Sequence, residues 1–293
     1  MIRVKDKYIN PFTDFGFKKL FGTELNKDIL MDFLNELLPI EAGKIQSLRF
    51  LEKEQLGRSP DDRKAIFDIY CENQLGEKFI VEMQKAKQNY FKDRSVYYST
   101  FPIQQQAKQG SWNFKLKAVY TIGILDFVFD ETQDSDVFHS EIKLMNIKSK
   151  RVFFDKLTYI YLEMPKFTKT RSELNTPFEK WLYLLKNLEK LNDKPAEYSS
   201  SVFNKLFKQA EIACYSENEY QEYEKSLKTY RDLKNTLDTA FDDGFEEGSE
   251  TGFSKGKAEG KAEGIEQGLI EGEIKGKEEG LIEGELKGIE KGK

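Results

Sequence analysis

Two short apolar segments joined by a polar loop, in FDIYCENQLGEKFIVEMQ (67–84), constrain the fold of this 293-residue chain most strongly. Each segment has the length and the content of Ile, Val, Phe and Tyr that are typical of a β-strand. If NQLGE (73–77) is a five-residue loop, Glu72 faces Lys78, which is a favourable cross-strand pair. The segment therefore predicts an antiparallel hairpin and, with it, a domain that contains a sheet.

In the same register Asp68 lies directly opposite Glu82, and Ile66 lies opposite Gln84. A loop one residue shorter would place the two acids on opposite faces of the hairpin. Residues that face each other have Cβ atoms about 4.5–5.5 Å apart, and like charges there are destabilising. Solvent, a shared proton or a cation can compensate, and Mg²⁺ is typically held by one or two carboxylates with water and phosphate oxygens. The pair is a candidate metal site, and the alternative is a solvated sheet face.

The segments around the hairpin alternate between helical and extended periods. Residues 25–38 (LNKDILMDFLNELL) carry apolar side chains at helical spacing, and residues 88–109 are also predicted to be helical. Further strands are predicted at residues 45–53, 117–129, 138–148 and 157–164. Helices that alternate with strands in this way predict an α/β domain built on a mixed sheet.

Beyond residue 170 the pattern becomes helical. Thr176, Pro177 and Glu179 form a capping box with proline at the first helical position, followed by an apolar stripe. We therefore predict an α/β domain in residues 1–170 and a helical region in residues 171–243. The remainder is a tail of different character.

The tail, residues 244–293, is a glycine repeat of low complexity. Thirteen glycines follow one another from Gly244 to Gly292 at an unbroken spacing of four, which excludes the period of three that collagen requires. Each glycine costs a helix about 0.8–1 kcal/mol relative to alanine, so an isolated helix would not form reliably. In a helix the glycines would make a slowly winding groove that another backbone could approach. A self-association helix and a tail with little stable structure both remain open.

The net charge of −5 is confined to the tail, which has 8 Lys and 13 Glu, so the rest of the chain is neutral. Within that neutral part residues 85–117 carry a net charge of +6. The basic residues of this segment are Lys85, Lys87, Lys92, Arg94, Lys108, Lys115 and Lys117, against the single acid Asp93. Such a segment could face phosphate groups, or it could be an ordinary solvated helix face.

Cellular location is indicated by the cysteines and by the first residues. Two cysteines cannot build a disulfide framework, and the N-terminal MIRVKDKYINPF has no apolar signal segment. The longest apolar-rich stretch, residues 120–129, is too short to span a bilayer. We expect a cytoplasmic protein without membrane spans.

Four parts of the chain together resemble a known family. TDFGFKKLFG (13–22), KAIFDIYCENQLGEKFIVEMQ (64–84), RSVYYST (94–100) and the glycine tail are similar to the recombination-promoting nucleases (Rpn type) of bacteria, which are PD-(D/E)xK nuclease family transposases. The resemblance extends along essentially the whole chain. It implies a restriction-endonuclease-like core with a mixed sheet flanked by helices in residues 1–170.

The resemblance also implies roles for single residues. Asp68 and Glu82 would bind a divalent metal, with Mg²⁺ as the first choice and Mn²⁺ or Ca²⁺ as alternatives. Gln84 stands where the family usually has lysine and would orient the attacking water. Glu36, on the first long helix, would be an additional acid of the kind that some relatives carry.

DNA is the partner that the resemblance implies, with Lys85, Lys87 and Arg94 as contacts to the phosphate backbone. The implied function is that of a metal-dependent DNA endonuclease linked to recombination or mobile-element activity. Since neutral Gln84 cannot act as a cation, the alternative is a catalytically impaired DNA-binding or assembly protein that forms homo-oligomers through its tail. A glycosidase with paired carboxylates is a third class, which the basic segment disfavours.

Overall fold

A computed structural model describes residues 6–38, 43–55, 65–107, 113–129 and 136–291. Contacts between the described residues divide the chain into two units, one ending at Leu233 and the other beginning at Lys234. The first unit holds every strand of the described chain and is the one that positions the candidate site.

A six-stranded mixed sheet forms the centre of the first unit. Its strands, in spatial order, are β1 (Leu48–Phe50), β4 (Ile69–Asn73), β5 (Lys78–Gln84), β6 (Val119–Leu125), β8 (Arg151–Glu163) and β7 (His139–Asn146). β6 lies between β5 and β8 and is parallel to both. The other pairings in this sheet are antiparallel. A separate two-stranded sheet pairs β2 (Glu54–Gln55) with β3 (Ala65–Ile66).

Six α-helices accompany the sheet in the described part of the chain. They are α1 (Asp14–Phe21), α2 (Lys27–Leu37), α3 (Phe91–Gln104), α4 (Pro177–Asn187), α5 (Ser201–Ala210) and α6 (Glu217–Lys291). The Thr13 hydroxyl caps α1, and the predicted capping box of α4 is confirmed between Thr176 and Glu179. The fold class predicted from the sequence, a mixed sheet flanked by helices, is confirmed. A long C-terminal helix follows it.

The two faces of the sheet pack against different helices because side chains alternate along each strand. Cys71 and Val81 belong to the large core that contains the apolar faces of α1, α2, α4 and α5. Tyr70 and Ile80 point the other way and pack with Phe101 of α3. By the same alternation Glu82 and Gln84 lie on the face that α3 covers.

Several strand boundaries differ from those predicted. The first strand of the predicted hairpin is interrupted at Phe67 and Asp68, and Ile66 pairs with Glu54 of β2 instead of facing Gln84. The ladder ends there because the carboxylates of Glu82 and Asp68 bind the backbone N–H groups of Asp68 and Met83. At the other edge β8 begins at Arg151, earlier than predicted. Its first residues extend past the N-terminal end of β6 and pair with β7 alone.

Helix α6 continues through the glycine repeat as far as Lys291. Side chains of residues 234–278 are exposed. A Cβ atom added at any of the ten glycines from Gly244 to Gly280 would meet nothing within 4 Å. The division into 1–170, 171–243 and 244–293 stays a prediction. Among the described residues no helix is long and apolar enough to cross a membrane.

Candidate active site

The hairpin of β4 and β5 has the predicted register. Glu72 faces Lys78 and Tyr70 faces Ile80, as a five-residue loop requires. The Asn73 side-chain oxygen accepts backbone N–H groups of Leu75 and Glu77, at 2.9 and 3.0 Å, and so fixes the loop. This register determines which acidic residues meet at the open end of the hairpin.

Asp68 and Glu82 are brought together there, as the register predicts. The Asp68 backbone N–H donates to Glu82 Oε1 at 3.0 Å, and the Met83 backbone N–H donates to Asp68 Oδ2 at 2.9 Å. Each carboxylate therefore binds the backbone of the opposite strand. Glu82 is buried, with 7% of its surface exposed, whereas Asp68 is half-buried.

Burial and mutual repulsion disfavour two negative charges at this point. Burial raises the pKa of Glu82, and the neighbouring charge of Asp68 raises it further. Burial also raises the pKa of Asp68, although the hydrogen bond from the Met83 N–H opposes the change. A proton or a cation at the pair would relieve this repulsion.

The pair fits a divalent metal in the chemistry of its donors. One oxygen of each carboxylate, Oδ1 of Asp68 and Oε2 of Glu82, accepts no hydrogen bond from the described residues. Hard oxygen ligands of this kind suit Mg²⁺, which keeps several waters and takes further oxygens from a phosphate. Within the described ranges no cluster of three or more His, Cys, Asp or Glu could hold a metal. The role of Glu36, on α2, stays a prediction.

Gln84 ends β5 beside the pair, and Lys85 follows it. Gln84 is half-buried, and its backbone carbonyl accepts the Asp126 N–H at 2.8 Å. The Lys85 ammonium is 2.8 Å from Asp14 Oδ1 on α1 and is largely buried. Lys87 is exposed just beyond the strand, and Lys108, in the same basic segment, lies outside the described residues.

Arg94, in the first turns of α3, reaches the pair from the other side. Its guanidinium lies over the rings of Phe91 and Tyr98, at 5.2 and 5.7 Å from their centroids, and Nη1 donates to Gln88. Atom Nη2 is buried and has no hydrogen-bond partner among the described residues. The positive charge of Arg94 opposes the rise in the pKa of Glu82, so this guanidinium lies within electrostatic reach of the Glu82 carboxylate.

A cleft of about 690 Å³ opens beside Arg94. Its walls come from α3 and the loop before it, and they include Tyr90, Arg94 and Tyr97. Tyr90 is 80% exposed and adopts a left-handed backbone conformation with φ of 63°. Aromatic rings beside a guanidinium are suited to nucleotides, whose bases stack and whose phosphates carry negative charge.

Three charged residues near the pair were not singled out by sequence reasoning: Asp14, Lys18 and Lys53. Besides the effect of burial, the charge of Lys18 lowers the pKa of Asp68 and the charge of Asp14 raises it. Burial lowers the pKa of Lys53, and the charge of Asp68 opposes that change. The motif TDFGFKKLFG, which contains two of these residues, was a signal of the family but gave no indication of where its helix packs.

An α/β domain with a mixed sheet that brings two carboxylates face to face fits a nuclease fold. The chain belongs to the PD-(D/E)XK nuclease family transposases, whose family model matches residues 11–240. This match confirms the family that the sequence motifs indicated. Comparisons with curated proteins and with solved structures find no match.

Proposed function

We propose that this protein is a metal-dependent endodeoxyribonuclease of the cytoplasm, which hydrolyses phosphodiester bonds in recombination or mobile-element activity. The observation that carries the proposal is the pair of Asp68 and Glu82, held face to face by reciprocal hydrogen bonds to the backbone. Membership of the nuclease family supports the same chemistry. The raised pKa values of both carboxyls favour a site that is completed by a cation.

Asp68 and Glu82 would hold the metal through the oxygens that accept no hydrogen bond from the described residues. A bound Mg²⁺ would polarise the phosphate and lower the pKa of a bound water. The Gln84 amide, on the same face as Glu82, would orient that water with one donor and one acceptor group. The backbone bonds to the carboxylates keep both side chains in place before substrate arrives.

Contacts with DNA are assigned to the basic residues after β5. Arg94 lines the cleft beside α3, and a guanidinium there suits a phosphate oxygen. Lys87 is exposed just after the end of β5. Lys85 also follows the end of β5, where its ammonium forms an ion pair with Asp14. Contacts of this kind bind the backbone and carry little sequence information.

Two observations favour a second candidate function, that of a DNA-binding assembly protein with impaired catalysis. Neutral Gln84 occupies the position that usually holds lysine in the family. In addition, the described glycines of α6 have open space where a Cβ would lie, so another helix could approach closely. In this case the tail would form homo-oligomers and the carboxylate pair would be inactive.

Cleavage of supercoiled plasmid distinguishes the two functions. Purified protein is incubated with Mg²⁺, Mn²⁺, Ca²⁺ or EDTA, and nicked and linear products are separated on a gel. We expect nicking with Mg²⁺ or Mn²⁺ but not with EDTA, because the proposed chemistry needs a bound metal. Asp68→Asn and Glu82→Gln should each reduce cleavage to the level of the EDTA control.

Glu72→Gln is the matched control for these variants. Glu72 lies in β4 of the same hairpin, away from the proposed metal. Its carboxylate forms ion pairs with Lys78 and Arg49, at 2.8 and 2.7 Å. The Glu72 variant should therefore cleave like the wild-type protein. Binding of plasmid without cleavage in any metal would favour the assembly function instead.

A further inference from the structure

In the proposed site neutral Gln84 follows Glu82 on the same face of β5, so this face of the strand supplies no positive charge. Phosphodiester hydrolysis builds up negative charge on the phosphate oxygens, and fixed donors aimed at that charge contribute strongly to catalysis. Lys85, the next residue, does not fill this role, because its ammonium is bound to Asp14 at 2.8 Å. Positive charge beyond that of Arg94 on α3 has to come from another element.

Lys18 of α1 is placed to supply it. It follows Asp14 by one helical turn, so both side chains lie on the same face of α1. Asp14 is joined to Lys85 at the end of β5, and this ion pair brings that face of α1 to the carboxylate end of the hairpin. Lys18 is exposed and forms no ion pair with a described residue; together with Asp14 it lines a cleft of about 500 Å³ whose other wall is the first turns of α6.

Lys53, in the segment before β2, lies on the side of Asp68. The Phe67 N–H donates to the Lys53 carbonyl at 3.0 Å, and the Leu51 N–H donates to the Tyr70 carbonyl at 2.8 Å. These bonds hold the segment beside the break in the strand at which Asp68 lies. Lys53 is half-buried, and within the described ranges it forms no ion pair.

Electrostatic effects agree with this placement. The positive charge of Lys18 acts on both carboxylates of the pair, since it opposes the rise in pKa of Asp68 and of Glu82. Burial, followed by the charge of Lys18, lowers the pKa of Lys53, while Asp68 opposes this change. The two lysines and Asp68 therefore lie within electrostatic reach of one another.

We propose that Lys18 and Lys53 are catalytic residues that contact the non-bridging oxygens of the phosphate bound at Asp68 and Glu82. This assignment rests on the proposed function. In the reaction a water oxygen bonds to phosphorus, the bond from phosphorus to the leaving oxygen breaks, one proton passes from water to solvent, and the leaving alkoxide gains one. Each ammonium offers three donors to the charge that develops on the phosphate oxygens.

DNA binding without metal gives the first test. Wild-type protein, Lys18→Met and Lys53→Met are titrated into a labelled DNA duplex in EDTA at several salt concentrations, with fluorescence anisotropy as the readout. Each lost phosphate contact should lower the slope of log K against log salt by about 0.9. Thermal unfolding of each variant shows whether the fold is retained.

Lys19→Met is the matched control. Lys19 neighbours Lys18 on α1 and lines the same cleft, but its ammonium pairs with Glu219 and lies over the ring of Tyr215. The control should keep the wild-type salt slope. An unchanged slope in both Lys18→Met and Lys53→Met, with wild-type binding intact, would overturn the assignment.

Single-turnover cleavage at saturating DNA gives the second test. We expect Lys18→Met and Lys53→Met each to lower the cleavage rate by about 100-fold. Lys18→Arg and Lys53→Arg should recover part of that loss, because arginine also donates to phosphate. Wild-type rates in both methionine variants would overturn the catalytic role. Wild-type protein that neither binds nor cleaves DNA would instead refute the proposed function itself.

Discussion

At the scale of single residues the site combines two acids that would repel each other with the bonds that hold them in place. Asp68 and Glu82 each accept a backbone N–H from the opposite strand, so neither side chain can easily turn away. The free energy of unfolding of the metal-free protein therefore includes a penalty for bringing the charges together. Because that penalty depends on ionisation, it depends on pH.

Glu82→Gln should stabilise the metal-free protein, and more so at high pH. The pKa of Glu82 is raised in the folded state, so the folded protein binds this proton more tightly and stability falls as the pH rises above about 4.3. Glutamine keeps an acceptor for the Asp68 N–H but carries no charge. In urea unfolding with EDTA we expect a gain of about 1–3 kcal/mol at pH 8 and a smaller gain at pH 5.

Glu72→Gln again serves as the comparison, since Glu72 is stabilised by Lys78 and Arg49. Its replacement should lower stability at pH 8, which is the opposite sign. A gain for Glu82→Gln of the same size at both pH values would show that the carboxyl does not titrate with a raised pKa.

At the scale of elements the hairpin loop determines whether the acids meet. Gly76 has φ of 78°, a left-handed conformation that residues with a Cβ rarely adopt. A Cβ there would also lie 3.4 Å from Glu72 Oε1. The five-residue spacing that aligns Asp68 with Glu82 therefore depends on a glycine in the loop.

Gly76→Ala is expected to destabilise the first unit by about 1 kcal/mol because of backbone strain. Gly76→Asn should be less harmful, since asparagine tolerates the left-handed region better than alanine. Urea unfolding followed by the fluorescence of Trp181 measures both variants. Equal stability of Gly76→Ala and the wild-type protein would show that the loop relaxes without strain.

The hairpin register could be predicted from the sequence because loop length and the pair of Glu72 and Lys78 are local properties. The interruption at Phe67 and Asp68 could not, because the ladder ends where carboxylates bind backbone N–H groups, a choice that only the folded site makes. Lys18 was missed for a similar reason. Its helix is far from Asp68 in sequence, and packing in the core brings the two together.

At the scale of the whole molecule the chain joins a nuclease-fold unit to a helix with no described core of its own. The described side chains of residues 234–278 are exposed, so packing contributes little to the stability of this segment. Its glycines each cost a helix about 0.8–1 kcal/mol relative to alanine. Helix formation there therefore depends on helix propensity, or on a partner that packs against the glycines.

Replacing Gly248, Gly252 and Gly256 with alanine in the full-length protein separates these two cases. Nothing within 4 Å would obstruct the added Cβ atoms, so we expect higher helicity in circular dichroism at 222 nm. Sedimentation equilibrium of the same samples reports the molecular mass. If the glycines allow close approach of a second copy, the added methyl groups should lower the mass of the assembly although helicity rises. A rise in helicity at unchanged mass would show that the glycine face is not an interface between copies. A fall in helicity would show that the glycines support the helix through a contact that tolerates no Cβ.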